Sequence, residues 1–479
     1  MFYYYLGEEE LKHKLPTEFI EKYQKLLGTE KSQEFFDAID GTSKKGFRLN
    51  PLKFDYQNVS YDLSHPIKGV DDAFYGNVSG YSSDWVGGYV YSQDPAAMYP
   101  AQIANVKPGD KVLDLCAAPG GKSTALAQHL SNQGILVANE ISSKRANNLR
   151  ENLERWGASN VLLTNETPEN LAKVFPQFFT TIVVDAPCSG EGMFRKDPDA
   201  IQYWSQEYVL TCQARQKEIL NEAVKLLEPN GELIYSTCTF SPEEDEHIVE
   251  WLVENYGFEV QEIEKFEGMS RGKPDWTKSG LNAVENTGRF WFQDGVGEGQ
   301  FVARLKNVNS EKIQLPSSQS NKKAKKKKNL HDQGPEHLSK NEKELIKQVL
   351  DNFMLPDSLK HWEDKALIRK DHVFVPVIDP APVKNLRILS NGVELGLMKK
   401  NRFEPGHQLA EVLGQLPQEK VVELKDEAQY KTYLHGETIH SDSPYRGYVL
   451  VAFEDHIFSF GKLGNDHILK NYYPKGLRR

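Results

Sequence analysis

Between residues 111 and 306, short aliphatic runs alternate with longer amphipathic ones, and this alternation limits the fold more than any other feature of the chain. KVLDL is followed by STALAQHL, and ILVAN by SKRANNLRENLERW. Then come VLLTN, TIVVDA before a helical run from about 205 to 228, ELIYST before EEDEHIVEWLVENY, and finally FEVQEIE and QFVARLK. Strands separated by helices of about 10 to 20 residues pair side by side through right-handed crossovers, so the spacing predicts an α/β fold with a parallel, doubly wound sheet covered on both faces. In such a sheet ligands bind at the carboxyl ends of the strands, and the residues there are the candidates for chemistry.

The rest of the chain is arranged around that unit, which is expected to span 79–307. Residues 1–14 read as a poorly ordered extension. Residues 15–78, with the amphipathic runs TEFIEKYQKLL and SQEFFDAI and the basic stretch KKGFRLNPLK, read as a small α+β domain that binds RNA. A polar segment, 308–335, carries six lysines in the seven positions 322–328 and reads as a linker. Residues 336–371 are expected to form a helical connecting segment, and 372–479 a compact β-rich domain. With 39% hydrophobic and 26% charged residues, disorder of the whole chain is excluded. Four cysteines, at 116, 188, 212 and 238, are too few and too dispersed for a disulfide scaffold or a zinc clasp, so no metal is expected and a reducing compartment fits. No run approaches 18 apolar residues and the first residues lack the pattern of a secretion signal, so the chain is expected to be cytoplasmic and to avoid membranes.

The segment Val112 to Ser123 (VLDLCAAPGGKS) is a strand running through a small-residue turn into a helix, a place where main-chain N–H groups face a ligand. Three ligands compete for it. A phosphate-binding GxxxxGK[ST] loop has its GKS at 121–123, but its first glycine falls on Cys116. A dinucleotide turn needs GxGxxG, which is absent. S-adenosylmethionine carries no phosphate and needs one acid near its ammonium group and another at the end of the second strand for its ribose. Asp114 and Glu140 supply both.

Strand four ends in Asp185-Ala186-Pro187-Cys188-Ser189-Gly190-Glu191-Gly192 and strand five in Tyr235-Ser236-Thr237-Cys238-Thr239. In a doubly wound order these ends adjoin each other and the first motif, which puts two thiols and a carboxylate in one cleft. Methylation of cytosine at carbon 5 gives a chemical reason for such a pair. Carbon 5 is too weak a nucleophile until a thiolate adds to carbon 6, and a base must afterwards remove the carbon-5 proton so that the enzyme is released. Asp185 has the type and place to stabilise charge at ring nitrogen 3. An ordinary thiol is only about 3% thiolate at pH 7, so activation matters. Ser241-Pro242-Glu243-Glu244 reads as a helix cap whose N-terminus would favour the Cys238 thiolate, opposed by Glu243, Glu244 and Asp245. The DAPC turn lacks the terminal aromatic of the [DN]PP[YF] turn used for amino-group methylation. Cys212 is expected to pack in a helix.

CAAPGGK, DAPCSGEG and YSTCT in that order, flanked by GYVYSQDPAAM and RFWFQDGVGEGQFVARL, resemble the RNA cytosine-5 methyltransferases of the Nop/Sun (Fmu) type over roughly residues 85–307. The resemblance implies a Rossmann-like methyltransferase sheet with Cys238 as nucleophile and Cys188 assisting release. It further implies S-adenosylmethionine held by Cys116, Ala117, Ala118, Pro119, Gly120, Gly121, Lys122, Glu140 and Asp185, with Arg145 a further candidate. Where the family commonly places an acid after the third strand, this chain reads Thr164-Asn165-Glu166-Thr167, and no residue is assigned to the adenine. Gly392-Val393-Glu394-Leu395-Gly396 and the run His407 to Gly414 resemble the PUA-like tail of the RsmF-type branch, which modifies bacterial 16S rRNA.

A net charge of −10 runs against a broadly basic nucleic-acid-binding protein, so RNA binding is expected from local patches. The candidates are Lys44, Lys45 and Arg48, the Arg195-Lys196 pair, the linker lysines and the carboxyl-terminal arginines. The target cytosine must be splayed from its stack, which favours 16S rRNA loops or an incompletely assembled small subunit over DNA. A monomer is expected. The alternative reading is a non-catalytic rRNA-binding assembly factor that keeps the fold; a P-loop ATPase is a third.

Overall fold

The computed structural model describes residues 15–309 and 334–478. The extension 1–14, the lysine run 322–328 and Arg479 lie outside the described residues.

Two helices open the described chain and three short strands follow: β1 (Gly46–Leu49), β2 (Ala73–Tyr75) and β3 (Val90–Gln93). The central unit contributes β4 (Lys111–Asp114), β5 (Ile135–Asn139), β6 (Val161–Thr164), β7 (Phe179–Asp185) and β8 (Leu227–Thr237). These five are parallel, in the order β8-β7-β4-β5-β6. Because successive residues of a strand face opposite sides, Val112, Leu136, Leu163, Val183 and Ile234 enter one core while Leu113, Val137, Leu162, Ile182 and Leu233 enter the other. The first face is covered by helices Gly121–Leu130 and Ser143–Trp156, through Leu126, Leu149, Leu153 and Trp156. The second is covered by Gln206–Leu226 and Glu246–Tyr256, through Leu220, Val224, Ile248 and Leu252. Each such side chain contributes about 1.5–3 kcal/mol by leaving water.

Antiparallel strands flank this parallel core. Beyond β8 come β9 (Glu259–Gln261), β10 (Ser270–Arg271), β11 (Gly288–Phe290) and β12 (Gln300–Lys306), with β12 against β8 and β9 paired to β12.

Two domain boundaries differ from those expected. Strand β3 pairs with β1 from Gly46↔Gln93 to Leu49↔Val90, so the amino-terminal sheet runs past residue 78. Helices α1 (Thr17–Leu27) and α2 (Thr29–Ile39) do not form a core of their own either. Their Phe19, Tyr23 and Phe35 pack with Phe194, Trp204, Phe240, Trp291 and Phe292 of the central unit.

In the carboxyl-terminal half, β13 (Glu336–His337), β14 (Leu367–Arg369), β15 (His372–Val375), β17 (Val393–Lys399) and β18 (Arg402–Pro405) form one sheet. The expected boundary at 371/372 cuts its β14–β15 hairpin, in which Arg369 pairs with His372, so 336–371 is part of a domain and not a connector. Between β15 and β17, β16 (Ile388–Asn391) leaves this sheet and pairs antiparallel with β6, closing the far edge of the central sheet. A last sheet, β19 (Val421–Glu423), β20 (Ile439–His440), β21 (Gly447–Phe453), β22 (His456–Leu463) and β23 (Ile468–Asn471), completes the chain. Among the described residues no helix is long and apolar enough to cross a membrane.

Candidate active site

The first motif forms the expected turn at the end of β4. Gly120 has φ 120°, a left-handed conformation that glycine adopts without strain, and a Cβ there would lie 3.2 Å from Leu149 Cδ1. Helix Ser143–Trp156 braces the turn from outside. Arg145 donates to the Ala118 carbonyl at 2.6 Å and Asn152 to the Pro119 carbonyl at 2.8 Å. Arg145 also lies 3.3 Å from Glu140 Oε2, and Glu140 Oε1 accepts from the Ser142 N–H at 2.8 Å. The predicted turn residues Cys116 to Lys122, Glu140 and Arg145 are thus brought together. Cys116 is no nucleophile: burial, then the charges of Asp114, Asp185 and Glu140, push its thiol far up and keep it protonated. Asp114 is fully buried, with Oδ2 accepting from Ser123 at 2.6 Å. Burial pushes its carboxyl up to about 7, against that hydrogen bond and with the Asp185 charge.

Strands β7 and β8 carry the two thiols to one place. Cys188 Sγ and Cys238 Sγ are 3.3 Å apart, both half-buried. The Cys188 thiol is pushed well above its ordinary range, first by its hydrogen bond with the Cys238 sulfur and then by burial. Either sulfur can donate to the other across this contact. Asp185, at the end of β7, accepts from Lys122 Nζ at 2.7 Å and from the Ser236 hydroxyl at 2.7 Å. Burial opposes the Lys122 charge, yet Asp185 wins and raises Lys122 above its usual value. Cys212 is buried in helix Gln206–Leu226.

The loops bearing the thiols are fixed by two carboxylates: Glu191, which the sequence did not single out, and Glu244, which it read as part of a helix cap. Glu191 is fully buried and accepts five hydrogen bonds: Tyr23 Oη at 2.5 Å, Ser241 Oγ at 2.6 Å, Trp204 Nε1 at 2.7 Å, Thr239 Oγ1 at 2.8 Å and the Phe240 N–H at 3.0 Å. Glu244 Oε2 accepts from the Ser189 N–H at 2.9 Å and Gln216 Nε2 at 2.8 Å, while Oε1 meets the Ser189 hydroxyl. Ser189 Oγ is also 2.8 Å from Thr239 Oγ1.

The row Glu244–Ser189–Thr239–Glu191 thus has three contacts and two hydroxyl protons. Burial pushes the Glu244 carboxyl up to about 7, against the hydrogen bonds it accepts from Ser189. Gly192 completes the join. Its N–H donates to the Cys238 carbonyl at 2.8 Å, and a Cβ there would sit 2.7 Å from that oxygen. The Glu in SGEG and the second Glu of SPEE were visible as letters, but the donors that give Glu191 and Glu244 meaning come from separate segments.

Three sequence expectations are corrected. Ser241 does not cap a helix: its hydroxyl donates to Glu191, and the helix starts at Glu246 with Asp245 at its cap. No helix N-terminus therefore activates Cys238 from Ser241. Arg48 is no phosphate ligand. It is buried, donating to Gln93, Gln128, Thr124 and the Gly121 carbonyl at 2.7–3.0 Å. The Arg195-Lys196 pair is also committed, Arg195 to Glu298 at 2.9 Å and Lys196 to Asp94 at 2.8 Å. Lys44 and Lys45 stay exposed.

Comparison with known proteins matches family profiles along most of the chain. They are the N-terminal domain of 16S rRNA methyltransferase RsmF (15–95), 16S rRNA methyltransferase RsmB/F (101–306), the RsmF rRNA methyltransferase first C-terminal domain (352–413) and the methyltransferase RsmF PUA domain (419–479). The chain is similar to ribosomal RNA small subunit methyltransferase F of Vibrio parahaemolyticus, at 30% identity over 97% of this chain and 98% of that one. Its counterpart in Vibrio vulnificus is 31% identical with the same coverage. A methyltransferase homolog protein from Pyrococcus horikoshii superposes with a TM-score of 0.54 and 27% identity, over 60% of this chain and 94% of that one.

Proposed function

This chain belongs to the RsmB/F family of 16S rRNA methyltransferases, and from that premise we propose that it transfers a methyl group to carbon 5 of cytosine through a covalent adduct on Cys238. The observation that carries this reading is the 3.3 Å approach of two thiols beside the turn that ends β4. A methyltransferase acting on an exocyclic amine or a ribose hydroxyl has no use for such a pair.

The residues present fit S-adenosylmethionine, which supplies an electrophilic methyl group. Asp114 Oδ1 is buried with no hydrogen-bond partner from the protein and suits an ammonium group, and Glu140 stands at the end of β5 where ribose hydroxyls bind. Around the acceptor, the Cys238 sulfur adds to carbon 6 and the ring electrons move to carbon 5, which becomes nucleophilic. Asp185 and Lys122, held 2.7 Å apart, present a carboxylate and a proton donor to ring nitrogen 3. The Cys188 thiol is raised first of all by its hydrogen bond to Cys238. Once Cys238 is bonded to carbon that cause is gone; Cys188 gives its own proton to solvent, and the resulting thiolate takes the carbon-5 proton. The electron pair of that C–H bond restores the ring double bond, and the Cys238 thiolate leaves.

The PUA domain, residues 419–479, supports an RNA substrate. The same reading has the chain act as a cytoplasmic monomer on 16S rRNA or a small-subunit particle, with its four cysteines free. Incubation with unmodified 16S rRNA and methyl-labelled S-adenosylmethionine, followed by mapping of the label, tests the proposal. Label at carbon 5 of cytosine is expected; label on another atom overturns it, and no transfer favours an rRNA-binding assembly factor.

A further inference from the structure

Strand β16 comes from the carboxyl-terminal half of the chain, yet it lies on the central sheet at the end where the cofactor turn stands. It runs antiparallel to β6 with Ile388 opposite Thr164, so Arg387 falls beside Asn165, just past the carboxyl end of β6. Asn165 N–H donates to the Arg387 carbonyl at 2.9 Å, and Arg387 N–H donates to Glu166 Oε1 at 2.7 Å. The Arg387 guanidinium donates to Ser143 Oγ at 3.2 Å, and the Ser143 hydroxyl to Asn165 Oδ1 at 2.9 Å. The Asn165 amide then donates to the carbonyls of Glu140 at 2.6 Å and Ile141 at 2.9 Å. An unbroken series of hydrogen bonds leads from Arg387 to Glu140.

Every side chain after β6 that might read an adenine is already engaged. Asn165 braces the β5 loop, Glu166 binds Arg387 and, at 2.9 Å, Asn170, and Thr167 caps the next helix. Meanwhile Ile141, directly after Glu140, leaves its aliphatic side chain 65% exposed on the same edge, and Arg387 is exposed beside it in the network. An aliphatic side chain and a planar guanidinium both give a flat base a surface to rest on without a hydrogen bond.

We propose that Arg387 covers the adenosine end of S-adenosylmethionine and that Glu166 positions it, so that the carboxyl-terminal half of the chain supplies one wall of the cofactor pocket. This rests on, and deepens, the reading of S-adenosylmethionine as the methyl donor.

The test is calorimetric titration of the full-length, RNA-free protein with S-adenosylmethionine, beside filter binding of 16S rRNA. Arg387→Ala and Glu166→Ala each raise the cofactor Kd about tenfold, equivalent to about 1.4 kcal/mol, with rRNA affinity unchanged. Glu166→Gln keeps an acceptor oxygen for the Arg387 N–H and stays within about threefold of the parent, as one retained hydrogen bond implies. Cofactor affinity unchanged in both alanine variants overturns the proposal. So does a parallel loss of cofactor and rRNA affinity, which would make β16 a fastening between domains. If Glu166→Ala does not fold, Arg387→Ala decides alone, since its side chain lies outside the core. Failure of the unmodified protein to bind S-adenosylmethionine would instead refute the methyl-donor reading itself.

Discussion

The sulfur atoms of Cys188 and Cys238 lie 3.3 Å apart at the ends of two neighbouring parallel strands. The proposed reaction gives the two thiols different chemistry: Cys238 attacks, and Cys188 serves as base once that attack has taken Cys238 out of their contact.

Replacing each thiol should therefore give a different product. Cys238→Ala removes the attacking sulfur and should abolish methyl transfer and any covalent complex. Cys188→Ser leaves attack intact but removes the base, so methylated RNA should stay bonded to protein as a complex that survives denaturing electrophoresis. Adduct on the Cys238→Ala variant would reverse the roles.

Glu191 joins three segments that are distant in sequence, and its removal should show this as lost stability. Glu191→Ala leaves five donors in the interior without their acceptor, and denaturant unfolding should report a loss of about 3 kcal/mol or more. Tyr23→Phe removes one of the five and should cost about 1–2 kcal/mol. Equal effects of the two variants would mean that Glu191 serves α1 alone.

What the sequence revealed and what it hid follow from the range of the interactions. Cys188, Cys238 and Asp185 were legible because a parallel sheet delivers strand ends to one edge whatever lies between them. Arg48 was not, because its acceptors lie 45 to 80 residues away and a basic stretch looks the same whether a strand buries it or solvent surrounds it. Ser241 carried a local capping signal, but a buried carboxylate 50 residues earlier captured its hydroxyl. The pairing of β16 with β6 spans more than 220 residues, from Thr164 to Ile388, and no local pattern encodes it.

The buried pair Lys53–Glu411, at 2.6 Å with both side chains fully enclosed, links the amino-terminal unit to helix His407–Leu413. Burial works against both charges, lowering Lys53 and pushing Glu411 up to about 7. Lys53→Met leaves a carboxylate without its partner and should destabilise by about 3–5 kcal/mol, whereas adding Glu411→Leu removes the unpaired charge and should recover most of that. Thermal unfolding of the two single variants and the double variant checks this: if the single losses simply add, the pair is not coupled.

The raised carboxyl of Glu244 makes a prediction of definite sign. Its carboxyl titrates near 4.5 when exposed and is pushed up to about 7 in the folded protein, so between these values the folded state holds a proton that the unfolded chain has lost. Stability from this group is complete below about pH 4.5 and is lost as the pH rises through 7, with a ceiling of about 3 kcal/mol by pH 8. Asp114 and Glu411 are pushed up to about 7 as well and add to the slope of the parent protein, so the informative quantity is the difference between variant and parent. In Glu244→Gln the amide N–H takes the place of the carboxyl proton on the Ser189 hydroxyl, and the amide oxygen accepts from the Ser189 N–H and Gln216. The variant should match its parent in denaturant unfolding at pH 5 and exceed it at pH 8. Equal stability at both values, or a variant weaker at pH 8, would mean that the Glu244 carboxyl is not raised in the folded protein.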